Sequence, residues 1–131
     1  MVPGTNCMNI GCDIEEVKTF RKKWKKGEMD FFQRVFSKEE IDYCKKFKDP
    51  SAHFAARFCA KEAVVKAANP FCKLLVTDIE VIKKNDAPVI KDWKKRKQTK
   101  KFFSSYEIFV SLSHTSDMAM ACVLIQKKTK P

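Results

Sequence analysis

Between Phe54 and Ala68 the chain sets charged side chains inside a segment that otherwise reads as a buried helix. Eleven of these fifteen residues are apolar. At ~100° per residue their side chains fall all round the axis, the pattern of a helix enclosed by protein. Arg57, Lys61, Glu62 and Lys66 interrupt it. Glu62 and Lys66 stand four apart and share one face. A carboxylate and an ammonium in such a setting need a metal, a phosphate or each other. An i,i+4 ion pair meets that need, and so does a functional site.

The totals narrow the class. A chain of 131 residues with 44% hydrophobic and 33% charged content is one soluble globular domain with a real core. No apolar run approaches the ~18 residues that cross a membrane. Met1 to Asn9 lacks a basic segment followed by an apolar core, so no signal peptide is expected and the chain reads as cytoplasmic. The six cysteines include no Cys-x-x-Cys, and neither histidine is spaced with them as in a zinc site. Free, mostly buried thiols in a reducing compartment are expected. The net charge of +11, from 27 basic and 16 acidic residues, favours an anionic partner. Nucleic acid, acidic protein and polyphosphate ligands all satisfy it.

The spacing predicts helices in the first half and strands in the second. Met8 to Ile14 reads as a strand, and Glu15 to Lys26 as a helix with Val17, Phe20 and Trp24 on one side, stopped at Gly27. Phe31 to Phe36 is a short helical turn. Ser37-Lys38-Glu39-Glu40 is a capping-box pattern opening a helix to about Phe47. Asp49-Pro50-Ser51 breaks that helix and starts the central one, which Asn69-Pro70 ends. Thr77 to Lys83 and Val89-Ile90 read as strands about the turn Asn85 to Pro88. Lys91 to Lys101 reads as a basic connector. Tyr106 to Ser113 alternates apolar and polar, and with Met118 to Gln126 predicts an antiparallel hairpin. The whole predicts a single α+β domain, residues 1–131 with a core of about 8–126, its helices packed on a mainly antiparallel sheet.

Three pieces carry chemistry: Ile10-Gly11-Cys12-Asp13, Arg57 through Ala67, and Ser111-Leu112-Ser113-His114. In this order and at these separations they resemble the 4'-phosphopantetheinyl transferases, above all the short holo-acyl-carrier-protein synthase type. That family shows a glycine closely followed by an aspartate near the start, R-F-x-x-K-E-[AS]-x-x-K-A on a central helix and S-x-[ST]-H late in the chain. Phe32 to Glu40 and Asp78 to Val81 add two smaller likenesses in register, so coverage runs from about Met8 to Ile125.

The resemblance implies an activity: the 4'-phosphopantetheine arm of coenzyme A moves onto a serine of an apo acyl carrier protein, leaving adenosine 3',5'-bisphosphate. It implies Asp13 and Glu62 as ligands of magnesium, a cation that pairs few carboxylates with substrate phosphate and water. Asp13, Glu62 and Lys66 become the catalytic set. Glu62 is the candidate base for the serine hydroxyl, and Lys66 meets the leaving phosphate. Lys61, Lys66, His114 and Arg57 are the candidate contacts to coenzyme A phosphates, with a structural ion pair as the rival for Arg57.

In the family the first helix docks the acidic helix of the carrier protein, which makes Lys18, Arg21, Lys22 and Lys25 the candidate docking residues, Lys18 and Arg21 foremost. The family also implies a homotrimer with sites at subunit boundaries. After the central helix it has a glycine-rich turn; here Asn69-Pro70-Phe71-Cys72 stands in its place. Two other readings use the same residues. One is a basic nucleic-acid-binding module, suggested by the charge and by Trp24 and Trp93 among cations, though no helix-turn-helix, zinc or ribonucleoprotein motif accompanies them. The other is a non-catalytic relative that binds a carrier protein only.

Overall fold

The computed structural model describes residues 7–129, so the sequence reading of the first six residues lies outside it. The elements run β1 (Met8–Glu16), α1 (Val17–Lys25), α2 (Met29–Val35), α3 (Lys38–Cys44), α4 (Ser51–Ala68), β2 (Ile79–Lys84), β3 (Ala87–Asp92), α5 (Lys97–Ser105), β4 (Tyr106–His114) and β5 (Met118–Lys127). This is an α+β fold with two antiparallel sheets, β1-β5-β4 and β2-β3. Among the described residues no helix is long and apolar enough to cross a membrane.

The central helix α4 lies across the three-stranded sheet, and its Ala, Val, Phe and Cys side chains are the middle of the core. Small residues let it approach closely. A Cβ on Gly11 of β1 would collide with the backbone carbonyl of Ala63 and stand 2.8 Å from the Ala67 nitrogen. Asn9, one pleat earlier, donates to the Ala67 carbonyl at 3.0 Å and closes the end of α4. Gly11→Ala should therefore force the helix and strand apart. The expected cost is about 1–3 kcal/mol or more, read as a lowered urea midpoint at unchanged slope; a stability equal to wild type would show that the contact yields freely.

Aromatic rings cement the helical side. Phe32 packs against Phe36, Phe54 and Trp24, with ring centroids 4.6–6.0 Å apart. The Ser37 capping box forms as the sequence predicts. The Ser37 hydroxyl accepts from the Glu40 nitrogen at 3.2 Å and the Glu40 carboxylate accepts from the Ser37 nitrogen at 2.7 Å.

Two expectations need correction. Lys91 to Lys101 is not a connector throughout, because α5 starts at Lys97. Thr99 and Phe102 anchor this helix in the core, and the Thr99 hydroxyl bonds to Asp92 and to the Arg96 carbonyl. Residues 76–78 form a 3-10 turn ahead of β2. There the buried Asp78 accepts from the Leu75 nitrogen at 2.8 Å and from Arg96 in a two-pronged pair.

The turns without glycine also resolve. Asn85 and Asp86 both take left-handed backbone, with φ of 51° and 63°, as a tight hairpin requires. Past α4 no such conformation is needed. Asn69 is right-handed at φ −51°, and the chain winds on through Phe71 and Cys72, whose nitrogens both bond to the Ala68 carbonyl at 2.8 Å.

Candidate active site

The end of β1 meets the exposed flank of α4. The Lys66 ammonium donates to the Asp13 carboxylate at 3.1 Å and to the Cys12 carbonyl at 3.1 Å. This ion pair, rather than one between Glu62 and Lys66, is the short contact. Asp13 raises the Lys66 pKa through that hydrogen bond and its charge. Asp13 itself is only 10% exposed at the side chain. Its second oxygen, Oδ2, is buried with no hydrogen-bond donor among the described residues. A buried carboxylate oxygen left so is costly, and a cation or proton is what it calls for.

Glu62 stands beside this pair. Burial pushes its pKa up, and the Asp13 charge pushes the same way. Sequence reasoning placed Glu15 at the start of a helix, whereas β1 runs on through Glu16. Two residues beyond Asp13, it takes the same face of β1, a relation that the period of two could have disclosed. Its pKa is pushed up to about 7, first by burial, then by the neighbouring Asp13 carboxyl and by the charge of Glu62. Three carboxyls and one ammonium thus share the region. Among the described residues no three metal-binding side chains converge tightly enough to enclose an ion by themselves.

A second cluster lies on another face of α4. Arg57 and Glu62 are five residues apart, roughly 140° round the axis. Arg57 is 6% exposed, its guanidinium lies 4.1 Å over the Tyr43 ring, and its Nε has no hydrogen-bond partner. No ion pair holds it among the described residues; burial and the Tyr43 ring hold it in place of the ion pair that the sequence offered as its structural role. His114 at the end of β4 meets His53 edge-on at 5.3 Å, and His53 stacks on Phe47 at 3.6 Å. Arg57, Tyr43, His53, Lys83 and His114 line a cleft of 230 Å³. Burial lowers the His53 pKa, and His114 and Arg57 lower it further. The cleft concentrates donors and positive charge. His53 and Lys83 were not legible as members, because only the fold brings α4, β2 and β4 together there.

Lys61 is misplaced by the sequence reading. It is fully buried, donating to the Val35 carbonyl at 2.6 Å and to Glu40 at 2.7 Å. The same carboxylate accepts from the Val81 nitrogen at 2.7 Å. Lys61 thus ties α4 to α2, α3 and β2, and its ammonium is beyond the reach of a ligand phosphate.

The candidate docking residues lie on α1. Lys18, Lys22 and Lys25 are exposed and recur at the spacing of one helix face. Lys18 is 3.3 Å from Glu16, and Arg21 is bonded to Asp49 at 3.0 Å. Lys22 and Lys25 have no ion-pair partner among the described residues, so the least committed cations are those two rather than Lys18 and Arg21.

Comparison with known proteins gives this arrangement its family. A family model described as the 4'-phosphopantetheinyl transferase superfamily matches residues 9–123. A holo-[acyl-carrier-protein] synthase of Syntrophus aciditrophicus is 34% identical over 131 aligned residues, covering 96% of this chain and 97% of that one. One from Geobacter sp. is 32% identical over 122 residues, covering 89% and 96%. The crystal structure of Helicobacter pylori holo-[acyl-carrier-protein] synthase in complex with coenzyme A superposes with a TM-score of 0.74 at 32% identity, covering 89% and 99%. The chain belongs to the 4'-phosphopantetheinyl transferase superfamily. Within it, the relatives just described place it with the holo-acyl-carrier-protein synthases.

Proposed function

We propose that the chain uses Asp13, Glu62 and Lys66 to transfer the 4'-phosphopantetheine arm of coenzyme A to a serine of an apo acyl carrier protein. The observation that carries this is the buried, donorless Asp13 Oδ2 beside Glu62 and Lys66, in a chain 32–34% identical to named holo-acyl-carrier-protein synthases. Asp13 and Glu62 fit magnesium. They supply hard oxygen ligands and leave room for the phosphate and water that this ion prefers. When bound, the cation supplies charge neutralisation at the pyrophosphate.

The remaining roles belong to the protein's own groups. Glu62 takes the proton of the carrier serine hydroxyl; its raised pKa makes it a stronger base than an exposed glutamate. The Lys66 ammonium, held by Asp13 and the Cys12 carbonyl, meets the leaving phosphate, which gains one negative charge as the pyrophosphate bond breaks. Arg57 and His114, with His53 and Lys83, hold a phosphate of coenzyme A in the cleft.

Coenzyme A carries phosphates at two separated points, and the two clusters sit on different faces of α4. A homotrimer that sets the carboxyl cluster of one subunit against the cationic cleft of the next reconciles them. The open face of the β1-β5-β4 sheet supports such an assembly: Ile10, Ile14, Phe109 and Met120 are 73%, 62%, 50% and 42% exposed. Only Cys44 and Cys59 are buried, where the sequence reading expected mostly buried thiols, but all six are free, which fits a reducing cytoplasm.

The test is direct. The protein, an apo carrier, coenzyme A and magnesium are incubated, and the carrier is weighed by mass spectrometry. A gain of one phosphopantetheine arm is expected; no gain across several carriers, with no binding of coenzyme A in calorimetry, would refute the transfer. Docking has its own readout. Lys22→Glu with Lys25→Glu should raise the KM for the carrier severalfold at low salt, leave the KM for coenzyme A unchanged, and lose its effect as salt screens the surface. An unchanged carrier KM would move the docking surface off α1.

A further inference from the structure

We propose that Cys12 and Cys122 are a redox pair that closes to an intrachain disulfide on the open face of the sheet. The two residues are register partners across β1 and β5, and both are exposed. The alternation that exposes Ile10 and Ile14 on β1, and Met120 on β5, puts both thiols on that same face. Directly opposed residues in an antiparallel pair have Cα atoms ~4.5–5.5 Å apart. Disulfides span ~4.4–6.8 Å between Cα atoms. Their Cβ atoms, however, stand ~4.5–5.5 Å apart in a sheet and ~3.5–4.5 Å apart in a disulfide. Closing the bond therefore draws the strands together by about 1 Å. A bond formed under that strain is easily reduced again, which is what a reversible pair requires.

The other cysteines are not comparable. Cys44 and Cys59 are buried, and burial pushes both thiols up to about 12. The Cys59 thiol donates to the Ala119 carbonyl at 3.3 Å. Cys72 is half-buried, with burial raising its pKa too. Cys7 precedes β1 and has no cysteine opposite it.

The exchange needs an oxidised low-molecular-weight disulfide, such as glutathione disulfide. One protein thiol gives up its proton, attacks that disulfide and releases one small thiol. The second then gives up its proton, displaces the other small thiol and completes the Cys12–Cys122 bond. Two protein thiols are oxidised, and one small disulfide is reduced to two thiols.

The placement links this chemistry to the site. The Cys12 carbonyl is one of the two acceptors that hold Lys66, and Asp13 is the next residue. A displacement of about 1 Å at a reacting group can cost ~10²-fold in rate. If the open face is covered in a trimer, as the assembly proposed above would have it, association shields the thiols and oxidation selects the unassembled chain.

The experiment uses the full chain without substrate. It is equilibrated at low concentration with glutathione disulfide, alkylated with N-ethylmaleimide, digested and weighed. A cross-linked pair of peptides carrying Cys12 and Cys122, two hydrogens lighter and restored by dithiothreitol, is expected. Cys122→Ser should carry glutathione on Cys12 instead of an intrachain bond. Full alkylation of both cysteines after equilibration, or cross-links only to other cysteines, would overturn the pair. Because this readout needs no turnover, it stands or falls apart from the transfer activity. The oxidised chain should lose about 10–100-fold in transfer and regain it on reduction. Cross-linking with undiminished transfer would overturn the link to the site.

Discussion

Glu62→Gln should abolish modification of the carrier, a loss of about 10²–10⁴-fold in kcat, while the protein stays folded. The substitution keeps the shape and removes two capacities, accepting the serine proton and contributing a charged oxygen ligand. Those capacities separate under a second measurement. Magnesium should raise the melting temperature of the wild-type protein, because an ion that binds only the folded state stabilises it. The site has something to gain from such an ion. Glu62 and Glu15 have raised pKa values, so their folded forms hold protons more tightly than the unfolded chain does. Their contribution to stability is present below the ordinary glutamate range and is lost as pH rises through the raised values, about 7 for Glu15. Above the raised values both are ionised at a cost, and a cation relieves it. Glu62→Gln should therefore melt slightly higher than wild type in the absence of magnesium and respond less to its addition. Retained transfer would remove Glu62 as the base. Lost transfer with an unchanged magnesium response would leave it a base but not a ligand.

The sequence was legible where local chemistry decides the outcome. The alternation of Tyr106 to Ser113 survives in β4, whose apolar side is the less exposed one. The Ser37 box formed because its side chains bond their own backbone, and the Asn85-Asp86 turn because these residues accept left-handed backbone. Charges were harder, because a lysine reads alike on a wet or a dry face. Lys61 continues a stripe through Phe54, Arg57, Val64 and Ala68, all buried, whereas Glu62 and Lys66 follow the flank that reaches water. That stripe was visible in the spacing, but its meaning depended on Glu40 arriving from α3. The lysines before α5 hid a helix for a related reason. Its buried anchors, Thr99 and Phe102, are only two residues in a polar run. The cationic cleft was legible only in Arg57 and His114; His53 and Lys83 join them because α4, β2 and β4, far apart along the chain, meet there.

Lys61→Met should be the most destabilising of the single changes, costing about 3–5 kcal/mol, a substantial part of the ~5–15 kcal/mol that holds a domain together. Neither partner of the Lys61–Glu40 pair has exposed side chain. Burial alone lifts the Glu40 pKa and depresses that of Lys61, and each partner's charge opposes the shift in the other. Removing the ammonium leaves a carboxylate in the core with only the Ser37 and Val81 nitrogens to meet it. The rings of Phe36 and Trp93, 4.9 and 5.0 Å from the ammonium, would then flank an apolar thioether, so packing changes little and the loss is electrostatic. A double-mutant cycle isolates it. Glu40→Gln alone strands the lysine; together with Lys61→Met it removes both charges, and the double variant should be more stable than the sum of the single losses by at least about 1 kcal/mol. Additive losses would mean that the two charges do not depend on each other. The same protein decides between a structural and a ligand-binding lysine. With Lys61 walled off from solvent, the folded fraction of Lys61→Met should keep the wild-type KM for coenzyme A, whereas Arg57→Ala, which opens the cationic cleft, should raise that KM about tenfold or more, the loss of one charged hydrogen bond. A raised KM in Lys61→Met would return Lys61 to the phosphate-binding set.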